Sequence, residues 1–427
     1  MRSSEPRIGV VVDAYSTGRH LAGEFAEYEI RLVHVQSMAE ILPFDRPSFR
    51  PGDFVRNLVY ENAPEAVTQT LAELRPLFVI PGCESGVLVA DALAEHLGLA
   101  GNGTLLSWAR RDKHAMGEAV AAAGLRAIRQ LATDDPAAAR AFRAAQAPGE
   151  VVIKPLDSAG TEDVYFCSDD AQIEAAFAAI LGKVNGMGTM NLQALVQERI
   201  IGRQFTANLV SVDGVHHLAE LWSYETVLVP GAGSLCDHER LLDGSEAEHA
   251  IIAPYARDVL DALGIRNGPA HMELFIDATG PVLVEVGARL QGSMSRKARS
   301  AALGYDHVSL TALRYAQPEA FRAHIAANTP FARRKHAVIV SVLSDREGVV
   351  LGHSGLAALR DWPSFADAFG FPAIGERVYA SRDLSSTAGI VYLVHEEAEV
   401  VEADRLRLKS LTIDAILDLA PHTQSAS

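Results

Sequence analysis

The stretch from His271 to Arg289, HMELFIDATGPVLVEVGAR, has the pattern of a β-hairpin. Apolar residues occupy alternate positions on both arms, as half-buried strands require. Between the arms, Asp277 to Pro281 has the composition of a short hairpin loop. The apolar residues that we expect to share one face of the hairpin are Leu274, Ile276, Val282, Val284 and Val286.

This shared face predicts how the two strands are paired. The five side chains lie on one face only if the numbers of each residue pair add up to an even number. Centring the hairpin on Thr279 meets this condition, and it pairs Leu274 with Val284 and Ile276 with Val282.

The same register places Glu273 opposite Glu285 on the other face of the hairpin. Directly opposed residues have Cβ atoms about 4.5–5.5 Å apart, where like charges destabilise a sheet. A close carboxylate pair therefore has to share a proton, bind a cation or splay into water. Arg289 follows four residues after Glu285, and two acids with an arginine on one surface indicate a site for magnesium and phosphate.

The composition is that of an ordinary globular protein with room for two or three domains. The 427 residues are 48% apolar and 22% charged, and a formal charge of −16 without a basic run disfavours nucleic acid as a partner. No apolar stretch approaches the roughly 20 residues that cross a membrane, and no signal peptide is expected. Scattered cysteines favour reduced thiols in the cytoplasm; they are Cys83, Cys167 and Cys236.

The first hundred residues alternate short apolar strands with helical segments, which predicts a parallel, doubly wound sheet. The expected strands are 8–12, 30–36, 58–60 and 78–82. Glu84 lies in the loop Pro81–Gly86, at the carboxyl end of the last of them, where open α/β sheets bind ligands. Its carboxylate either meets a substrate amine or is an acid favoured by a helix N-terminus.

Two lysines lie in settings that differ. Lys113 begins a helix, whereas Lys154 ends the strand 151–154 and precedes a loop of small residues that includes Ser158. A strand-end lysine beside such a loop suits phosphate binding, because the ammonium supplies charge and the loop amides supply donors. Taken alone, a lysine in either setting is more often an ordinary surface charge than a phosphate ligand.

The second half of the chain is predicted to contain strands at 194–198 and 204–214 and a smaller α/β segment from about Ala337. Residues 225–250 are rich in Gly, Asp and Glu, and they are expected to form a long loop that covers the substrate.

The order of five motifs along the chain resembles the ATP-grasp superfamily over roughly residues 75–300. These motifs are RDK (111–113), VVIKP (151–155), QERIIGRQF (197–205), HMELF (271–275) and VEVGARLQG (284–292). The closer likeness is to the L-amino acid ligases, which form dipeptides. It is carried by GCESGVLVADALAEHLGLAGN (82–102), RRDKHAM (110–116) and GARLQG (287–292).

The resemblance implies a fold of α/β and α+β parts. We expect an N-terminal parallel, Rossmann-like α/β substrate domain (1–110), an ATP-grasp domain (111–335) and a small C-terminal α/β domain (336–427). In the superfamily, ATP lies between two α+β subdomains, so that about residues 133–200 would form a mobile lid.

The resemblance also implies roles for individual residues. Arg289 would steady an acyl phosphate and the tetrahedral intermediate, and Glu273 and Glu285 would hold Mg²⁺, which Mn²⁺ can replace. The residues that would contact ATP are Lys113, Lys154, Ser158, Gln197, Glu198, Ile200 and Gln204, the hinge strand reading adenine partly through its backbone. The residues that would contact the substrates are Glu84, His271, Ser293 and Arg296, with a structural role left open for His271 and a solvated loop for the last two.

Three features depart from the pattern of many relatives. Gln204 stands where a ribose-binding glutamate is common, so that the acceptor is kept and the charge is lost. Gly287 stands where many relatives have an asparagine as a further metal ligand, and a second Mg²⁺ is therefore not implied. The loop from Ser158 to Asp163 has fewer glycines than the usual phosphate-binding lid and carries two acids.

The function implied is that of an ATP-dependent ligase that joins an amino-acid carboxylate to an amine, the latter from another amino acid. The reaction would pass through an acyl phosphate and release ADP and phosphate. The alternatives are a carboxylase or another acyl-phosphate enzyme of the same fold, and an ATP-binding regulatory protein. The expected partners are small-molecule amino acids, with neither nucleic acid nor membrane, and the expected compartment is the cytoplasm. The sequence leaves open whether the protein is a homodimer, which substrates it uses, which carboxyl group is activated, which pathway it serves and how many Mg²⁺ ions it binds.

Overall fold

The computed structural model describes residues 6–158, 162–229, 233–382 and 386–420, with the backbone alone described at residues 233–234. The strands of these residues form four sheets.

The N-terminal sheet has four parallel strands in the order β3-β2-β1-β4. The chain adds β2 and β3 on one side of β1 and then returns to place β4 on its other side, which is the predicted doubly wound arrangement. Alternate strand residues belong to two apolar clusters, so both faces of the sheet are buried. The elements are β1 (Arg7–Val12), α1 (Leu21–Ala26), β2 (Ile30–Gln36), β3 (Arg56–Val59), α2 (Pro64–Leu74), β4 (Val79–Pro81) and α3 (Val87–His96).

A smaller antiparallel sheet follows, in the order β5-β8-β6-β7. Helix α4 precedes it and begins at Lys113, because the carboxylate of Asp112 accepts a hydrogen bond from the Ala115 amide. Two further helices cover one face of this sheet over an apolar core of their own. The elements are α4 (Lys113–Ala122), β5 (Gln130–Thr133), α5 (Pro136–Gln146), β6 (Val151–Pro155), β7 (Tyr165–Cys167), α6 (Asp170–Ile180) and β8 (Ala194–Glu198).

The largest sheet has eight strands in the order β13-β12-β9-β10-β11-β14-β18-β16. Its strands are β9 (Arg203–Val212), β10 (Val215–Val229), β11 (Gly233–Leu241), β12 (Gly268–Asp277), β13 (Gly280–Gly287), β14 (His336–Val342), β16 (Phe365–Phe369) and β18 (Gly389–His395). The main apolar core of the protein packs against this sheet. The helices that follow β11 and β13 are α7 (Ala247–Ala262), α8 (Arg296–Leu303), α9 (His307–Ala316) and α10 (Pro318–Ala327).

A three-stranded sheet in the order β17-β15-β19 completes the C-terminal part. The remaining elements of this part are β15 (Gly348–Gly352), α11 (Ser354–Leu359), β17 (Arg377–Val378), α12 (Ala398–Lys409), α13 (Ile413–Ile416) and β19 (Asp418–Leu419). Helix α12 packs against β14 and β18 of the large sheet. The predicted boundary at 335/336 falls before β14, yet β14 pairs with β11 and continues the large sheet. The division into three domains remains a prediction.

The prediction of a long loop at 225–250 is wrong. Strand β10 continues to Val229, and β11 occupies Gly233–Leu241 and pairs with it. The acids that suggested a loop are held by neighbours, because Asp237 pairs with Lys409 at 2.6 Å and Glu239 accepts a hydrogen bond from Thr206 at 3.0 Å. Contacts far along the chain therefore stabilise a strand whose composition is typical of a loop.

Candidate active site

The acid pair lies where the sequence predicts it. Strands β12 and β13 form an antiparallel hairpin in which Glu273 is paired with Glu285, and His271 is paired with Gly287. Because paired residues point to the same side of a sheet, the two carboxylates and the imidazole lie on one face.

The predicted pairing beyond the acids is wrong. Leu274 is paired with Leu283, not Val284, and Ile276 is paired with Pro281, not Val282, because the register shifts after Glu273. The loop contains two residues, since Asp277 is already paired with Gly280, and a β-bulge then restores the even register of the acids.

Polar contacts hold this short loop in place. The carboxylate of Asp277 accepts hydrogen bonds from the amide and hydroxyl of Thr279, at 2.7 and 2.9 Å. Arg126 contacts both oxygens of Asp277 and donates to the carbonyl of Gly280. The tight turn explains why a register drawn from side-chain alternation alone fails at the tip of the hairpin.

Both predicted lysines lie beside the acid pair. The Lys113 ammonium is 3.1 Å from a carboxylate oxygen of Glu285 and donates to the Ser158 carbonyl at 2.6 Å. Burial lowers the pKa of Lys154 to about 8, and the nearby charge of Lys113 acts in the same direction, against the two glutamates. Burial opposes ionisation of Glu273, but His271, Arg289 and Lys154 outweigh it and lower its pKa.

Arg289 contacts an acid from the N-terminal sheet. Its Nε donates to the carboxylate of Glu84 at 2.6 Å, and the other oxygen of Glu84 is 2.8 Å from Arg111. Burial would raise the pKa of Glu84, but the two arginines outweigh burial and lower it to about 2. We call Glu84, Arg289, Lys113 and Glu285 the reactive cluster.

The absence of a side chain at Gly287 leaves room for this contact. A Cβ atom built there would lie 2.7 Å from a carboxylate oxygen of Glu84 and 3.0 Å from Nε of Arg289. An asparagine at this position would occupy the place of the Glu84–Arg289 ion pair. The glycine at this position thus has a steric reason.

A second set of polar side chains, more deeply buried than the reactive cluster, orients His271. Arg299 forms an ion pair with Glu220 and donates to the side-chain oxygen of Gln291 at 2.8 Å. Asn208 donates through Nδ2 to Glu220 at 2.9 Å and to the same Gln291 oxygen at 2.7 Å. We call Arg299, Glu220, Gln291 and Asn208 the buried network.

The hydrogen-bonding roles in this network follow from its charged ends. An arginine can only donate and a carboxylate can only accept, so the amide group of Asn208 faces Glu220 and Gln291. The Asn208 oxygen must then accept from Nδ1 of His271, at 2.8 Å. Nε2 of His271 consequently faces the acid pair, 3.8 Å from Glu273.

Two of the residues predicted to contact ATP, Lys113 and Gln197, line one pocket. Gln197 is buried on β8, and its amide donates to Gln130 at 3.2 Å. The pocket around these two glutamines is lined by Lys113, Met116, Gly117, Val120, Ala127, Ile128, Leu283 and Val284. It joins α4, β5, β8 and β13, and it lies beside the lysine that contacts Glu285.

The other predicted ATP contacts do not line this pocket. The side chain of Glu198 is held by Arg129, whose Nε donates to it at 2.8 Å, and the Glu198 amide donates to the Arg129 carbonyl at 3.0 Å. Ile200 follows the end of β8, and Gln204 lies on β9 opposite Tyr224. Ser158 contacts Lys113 through its carbonyl, whereas residues 159–161 of the predicted phosphate loop lie outside the described residues.

The two predicted carboxylate-binding residues after Arg289 differ in their contacts. Ser293 has a positive φ of 50° and is exposed, with its carbonyl accepting from Tyr392 at 3.2 Å. Arg296 donates to both oxygens of Asp306 at 3.2 Å and contacts Glu24 of α1. Its guanidinium therefore joins the N-terminal domain to α9, and its role towards a substrate stays a prediction.

Sequence reasoning missed several residues of the site. Arg111 lies in the RDK motif, which was used to predict a role for Lys113 alone. The motif could therefore have indicated Arg111 as well. Asn208, Gln291 and Arg299 are polar residues in apolar or helical surroundings, and neither spacing nor periodicity connects them with His271. Their contacts span up to 83 positions of sequence, from Asn208 to Gln291, and only folding brings them together.

The donor set fits a hard divalent cation held together with a phosphate. Among the described residues no group of three or more His, Cys, Asp or Glu side chains is arranged to hold a metal ion. Two opposed carboxylates with a lysine ammonium at 3.1 Å nevertheless match Mg²⁺, which takes one or two protein carboxylates and completes its shell with phosphate and water. Within the described residues no helix is long and apolar enough to cross a membrane.

Comparison with known proteins identifies the family. The ATP-grasp domain family matches residues 147–297, which include Lys154, Glu273, Glu285 and Arg289. Over 345 residues the chain is 31% identical to a dapdiamide A synthase of Enterobacter agglomerans, covering 80% of this chain and 81% of that protein. The chain belongs to the ATP-grasp carbon–nitrogen ligases.

Solved structures of ATP-grasp enzymes share its fold. An L-amino acid ligase from Bacillus licheniformis aligns with a TM-score of 0.74 at 19% identity, covering 95% of this chain and 98% of the other. A phosphoribosylglycinamide synthetase from Anaerococcus prevotii aligns with a TM-score of 0.66 at 13% identity, covering 97% and 100%. The predicted ATP-grasp fold, the class of ADP-forming ligase and the likeness to L-amino acid ligases are confirmed.

Proposed function

We propose that this ATP-grasp ligase joins the carboxylate of one amino acid to the amino group of another, through an acyl phosphate. The observation that carries the proposal is the Glu84–Arg289 ion pair, at 2.6 Å, beside the carboxylates of Glu273 and Glu285. The pair brings a site for a substrate next to a site for a transferred phosphoryl group.

The charges of this pair are complementary to a free amino acid. A zwitterion that entered between the two side chains would present its ammonium to Glu84 and its carboxylate to Arg289. Glu84 and Arg289 are 22% and 15% exposed, and a zwitterion that replaced their mutual contact would supply a counter-charge to each of them. The electrostatics therefore favour an α-amino acid as the activated acid.

In this proposal the lysines and the acid pair bind ATP and its metal. Lys113 and Lys154 would contact phosphate oxygens, while Glu273 and Glu285 would hold Mg²⁺. When bound, the metal supplies positive charge that neutralises the transferred phosphoryl group. The adenine would lie in the pocket lined by Gln130 and Gln197, against the backbone of the hinge strand.

The reaction then consists of two balanced displacements. A carboxylate oxygen of the amino acid attacks the γ-phosphorus of ATP, and ADP leaves. The amine of the second amino acid attacks the acyl carbon, and the C–O bond to phosphate breaks as the amide forms and the amine loses a proton. Arg289 would stabilise the oxyanion at the acyl carbon, since its guanidinium already lies at the carboxylate position.

The setting proposed for this reaction is the cytoplasm, with free amino acids as the partners. The three cysteines are buried and unpaired, which suits a reducing compartment. About residues 133–200, containing β6 to β8, would close over ATP as a lid and keep water from the acyl phosphate.

The test is a screen of amino-acid pairs that measures ADP release and identifies the product by mass. We expect ADP release that requires both amino acids and yields a dipeptide in equal amount. With ¹⁸O in the substrate carboxylate, one label must appear in the inorganic phosphate. ADP release with bicarbonate and a single amine would instead indicate a carboxylase, and the absence of label in phosphate would exclude the acyl phosphate.

A variant of the acid pair tests the metal site within the same assay. Glu285→Gln should reduce ADP release by about 100-fold or more, because Mg²⁺ loses one of two protein ligands. Glu248→Gln is a matched control, since Glu248 also contacts one basic residue, Arg203, but lies on α7. Equal activities of the two variants would show that the acid pair does not bind the metal.

A further inference from the structure

Arg111 joins the two halves of the proposed site. Its Nη1 lies 2.7 Å from the carbonyl oxygen and 2.8 Å from a carboxylate oxygen of Glu84. Its Nη2 donates to the carboxylate of Asp157 at 2.8 Å. Glu84 lies in the turn after β4, and Asp157 lies in the loop after β6. The side chain of Arg111 therefore links the N-terminal sheet to the antiparallel sheet β5-β8-β6-β7.

The chemistry of this contact requires an arginine. The side chain of Arg111 is 7% exposed, and a buried charge is tolerated when both its faces are paired. A planar guanidinium can donate in two directions at once, whereas a lysine ammonium is a point charge that would favour one acid at a time. The separation of the two acids is thus set by the width of the guanidinium.

The neighbouring Arg110, which also precedes α4, is an arginine with purely structural contacts. Its guanidinium is fully buried, pairs with Asp91 at 2.8 Å and donates to the carbonyl of Leu263 at 2.9 Å. Neither partner belongs to a loop beside the acid pair. Arg110 therefore secures the scaffold, whereas Arg111 contacts two groups of the site itself.

Lys113 contacts the residue next to Asp157. The Lys113 ammonium donates to the carbonyl of Ser158, and its amide donates to the carbonyl of Leu156 at 3.1 Å. Lys113, a proposed phosphate-binding residue, therefore binds the carbonyl groups on either side of Asp157, and Arg111 binds the carboxylate of Asp157. Both basic residues lie at the start of α4. Movement at Asp157 on binding ATP would be transmitted to Glu84.

We propose that Arg111 is a positioning residue that couples ATP binding to the amino-acid subsite. The guanidinium holds the Glu84 carboxylate ready for the ammonium of the amino acid while Asp157 keeps its contact with Arg111, and it releases Glu84 when Asp157 moves away. By linkage, an amino acid at Glu84 strengthens ATP binding by the same factor as ATP strengthens amino-acid binding. The inference rests on the proposed function, because it takes Glu84 as the amino-acid contact and the Asp157 loop as the phosphate side.

Hydrogen exchange with Mg²⁺ and a nonhydrolysable ATP analogue tests this coupling without knowledge of the amino acid. In the unaltered protein the analogue should slow exchange in the hinge strand 194–198 and also, about fivefold or more, in the turn 82–86. In Arg111→Gln and in Asp157→Asn the hinge should remain protected, whereas the protection of the turn should be lost. Asp157→Asn leaves the Arg111–Glu84 contact in place and guards against a folding defect of the first variant.

Arg126→Gln is the matched control, because Arg126 also bridges a carboxylate and a carbonyl, at the hairpin loop, away from Glu84 and Asp157. It should keep protection at both the hinge and the turn. Protection of the turn that persists in both Arg111→Gln and Asp157→Asn, or that is missing from the unaltered protein while the hinge is protected, would overturn the coupling. Absence of protection at the hinge as well would overturn the proposed ATP site, and the coupling with it.

A substrate pair found in the ligation screen allows a second readout. Arg111→Lys should raise the KM for the activated amino acid and the amount of ADP released per amide, because ATP is then cleaved with Glu84 out of place. A merely structural arginine would lower the yield of folded enzyme and leave both quantities unchanged. Unchanged KM and unchanged ADP per amide would therefore contradict the inference.

Discussion

The reactive cluster and the buried network contain the same kinds of groups, yet they differ in exposure and in freedom. Glu84 and Glu285 of the reactive cluster are 22% and 27% exposed, and their partners are side chains that a ligand can replace. Arg299 and Glu220 of the buried network are 0% and 1% exposed, and each hydrogen-bonding role in it is determined. The comparison indicates that exposure to solvent, more than residue type, distinguishes the side chains proposed to bind substrate from the buried side chains that position them.

The largest effect is expected from breaking the buried ion pair. Arg299→Met should lower the free energy of unfolding by about 3–5 kcal/mol, because Glu220 would stay buried without a counter-charge. Urea denaturation measures the loss. Arg322→Met is the control, since Arg322 contacts Glu319 and Asp213 at the surface and should cost about 1 kcal/mol or less. Equal losses in the two variants would remove the distinction between the clusters.

The opposite balance is expected for the reactive cluster. Arg289→Ala should reduce kcat/KM by about 2.7–4 kcal/mol of transition-state stabilisation, or 10²–10³-fold, because the oxyanion loses its donor. The free energy of unfolding should change by about 1 kcal/mol or less, since Glu84 keeps its contact with Arg111. Rates of ADP release and urea denaturation of the same preparation give both numbers. A stability loss larger than the loss of activity would place Arg289 with the buried network.

A smaller effect should follow from adding one methyl group beside the reactive cluster. Gly287→Ala would place Cβ 2.7 Å from the Glu84 carboxylate, and we expect the KM for the activated amino acid to rise about tenfold, or 1.4 kcal/mol. Gly23→Ala is the control, because a Cβ on this helical glycine of α1 meets no atom within 4 Å. Steady-state kinetics with saturating ATP separate the two. Equal KM values would mean that the ion pair moves aside without cost.

The smallest effect concerns pH and a histidine beside the buried network. Burial lowers the pKa of His307 from 6.5 to about 4, and its Nδ1 has no hydrogen-bond partner within the described residues. Because the folded pKa lies below the unfolded one, the unfolded chain binds the proton first. Stability is therefore complete above pH 6.5 and is lost as the pH falls towards 4, by about 1 kcal/mol at pH 5.5.

His307→Gln tests this assignment. The glutamine amide can still donate to the Leu209 carbonyl, which Nε2 of His307 contacts at 2.9 Å, but it does not titrate. The difference in unfolding free energy between the two proteins should shrink or reverse as the pH falls from 7 to 5.5. A difference that stays constant over this range would show that His307 does not contribute to acid sensitivity.

Periodicity and chain order determined much of the fold before any contact was known. The alternation of short apolar strands, such as 8–12 and 30–36, with helical segments predicted a parallel sheet. Continuous apolar strands are typical of sheets that are buried on both faces. Alternation in 271–289 opposed Glu273 to Glu285, because the period of a strand is a local property of the backbone. The order of motifs along the chain then indicated the family.

The departures from prediction arise where a tight turn or a distant contact competes with the local pattern. The two-residue loop at Asp277–Gly280 changes the register of Leu274 and Ile276, although the alternation of these residues is regular. The contacts of Arg296 with Glu24 and Asp306 could likewise not be read from its place in the loop, and its predicted role towards a substrate stays a prediction. Sequence spacing carries no information on such partners.

The sequence by itself determined which residue types the site contains and which strand faces carry them. Tertiary structure alone decided which of them touch: Glu84 and Arg289 are 205 positions apart, and Asn208 reaches His271 over 63. The physical reason is that strand and helix periods are set by neighbouring dihedral angles. Ion pairs and hydrogen-bond orientations instead depend on how separate elements pack and on which groups lose their water.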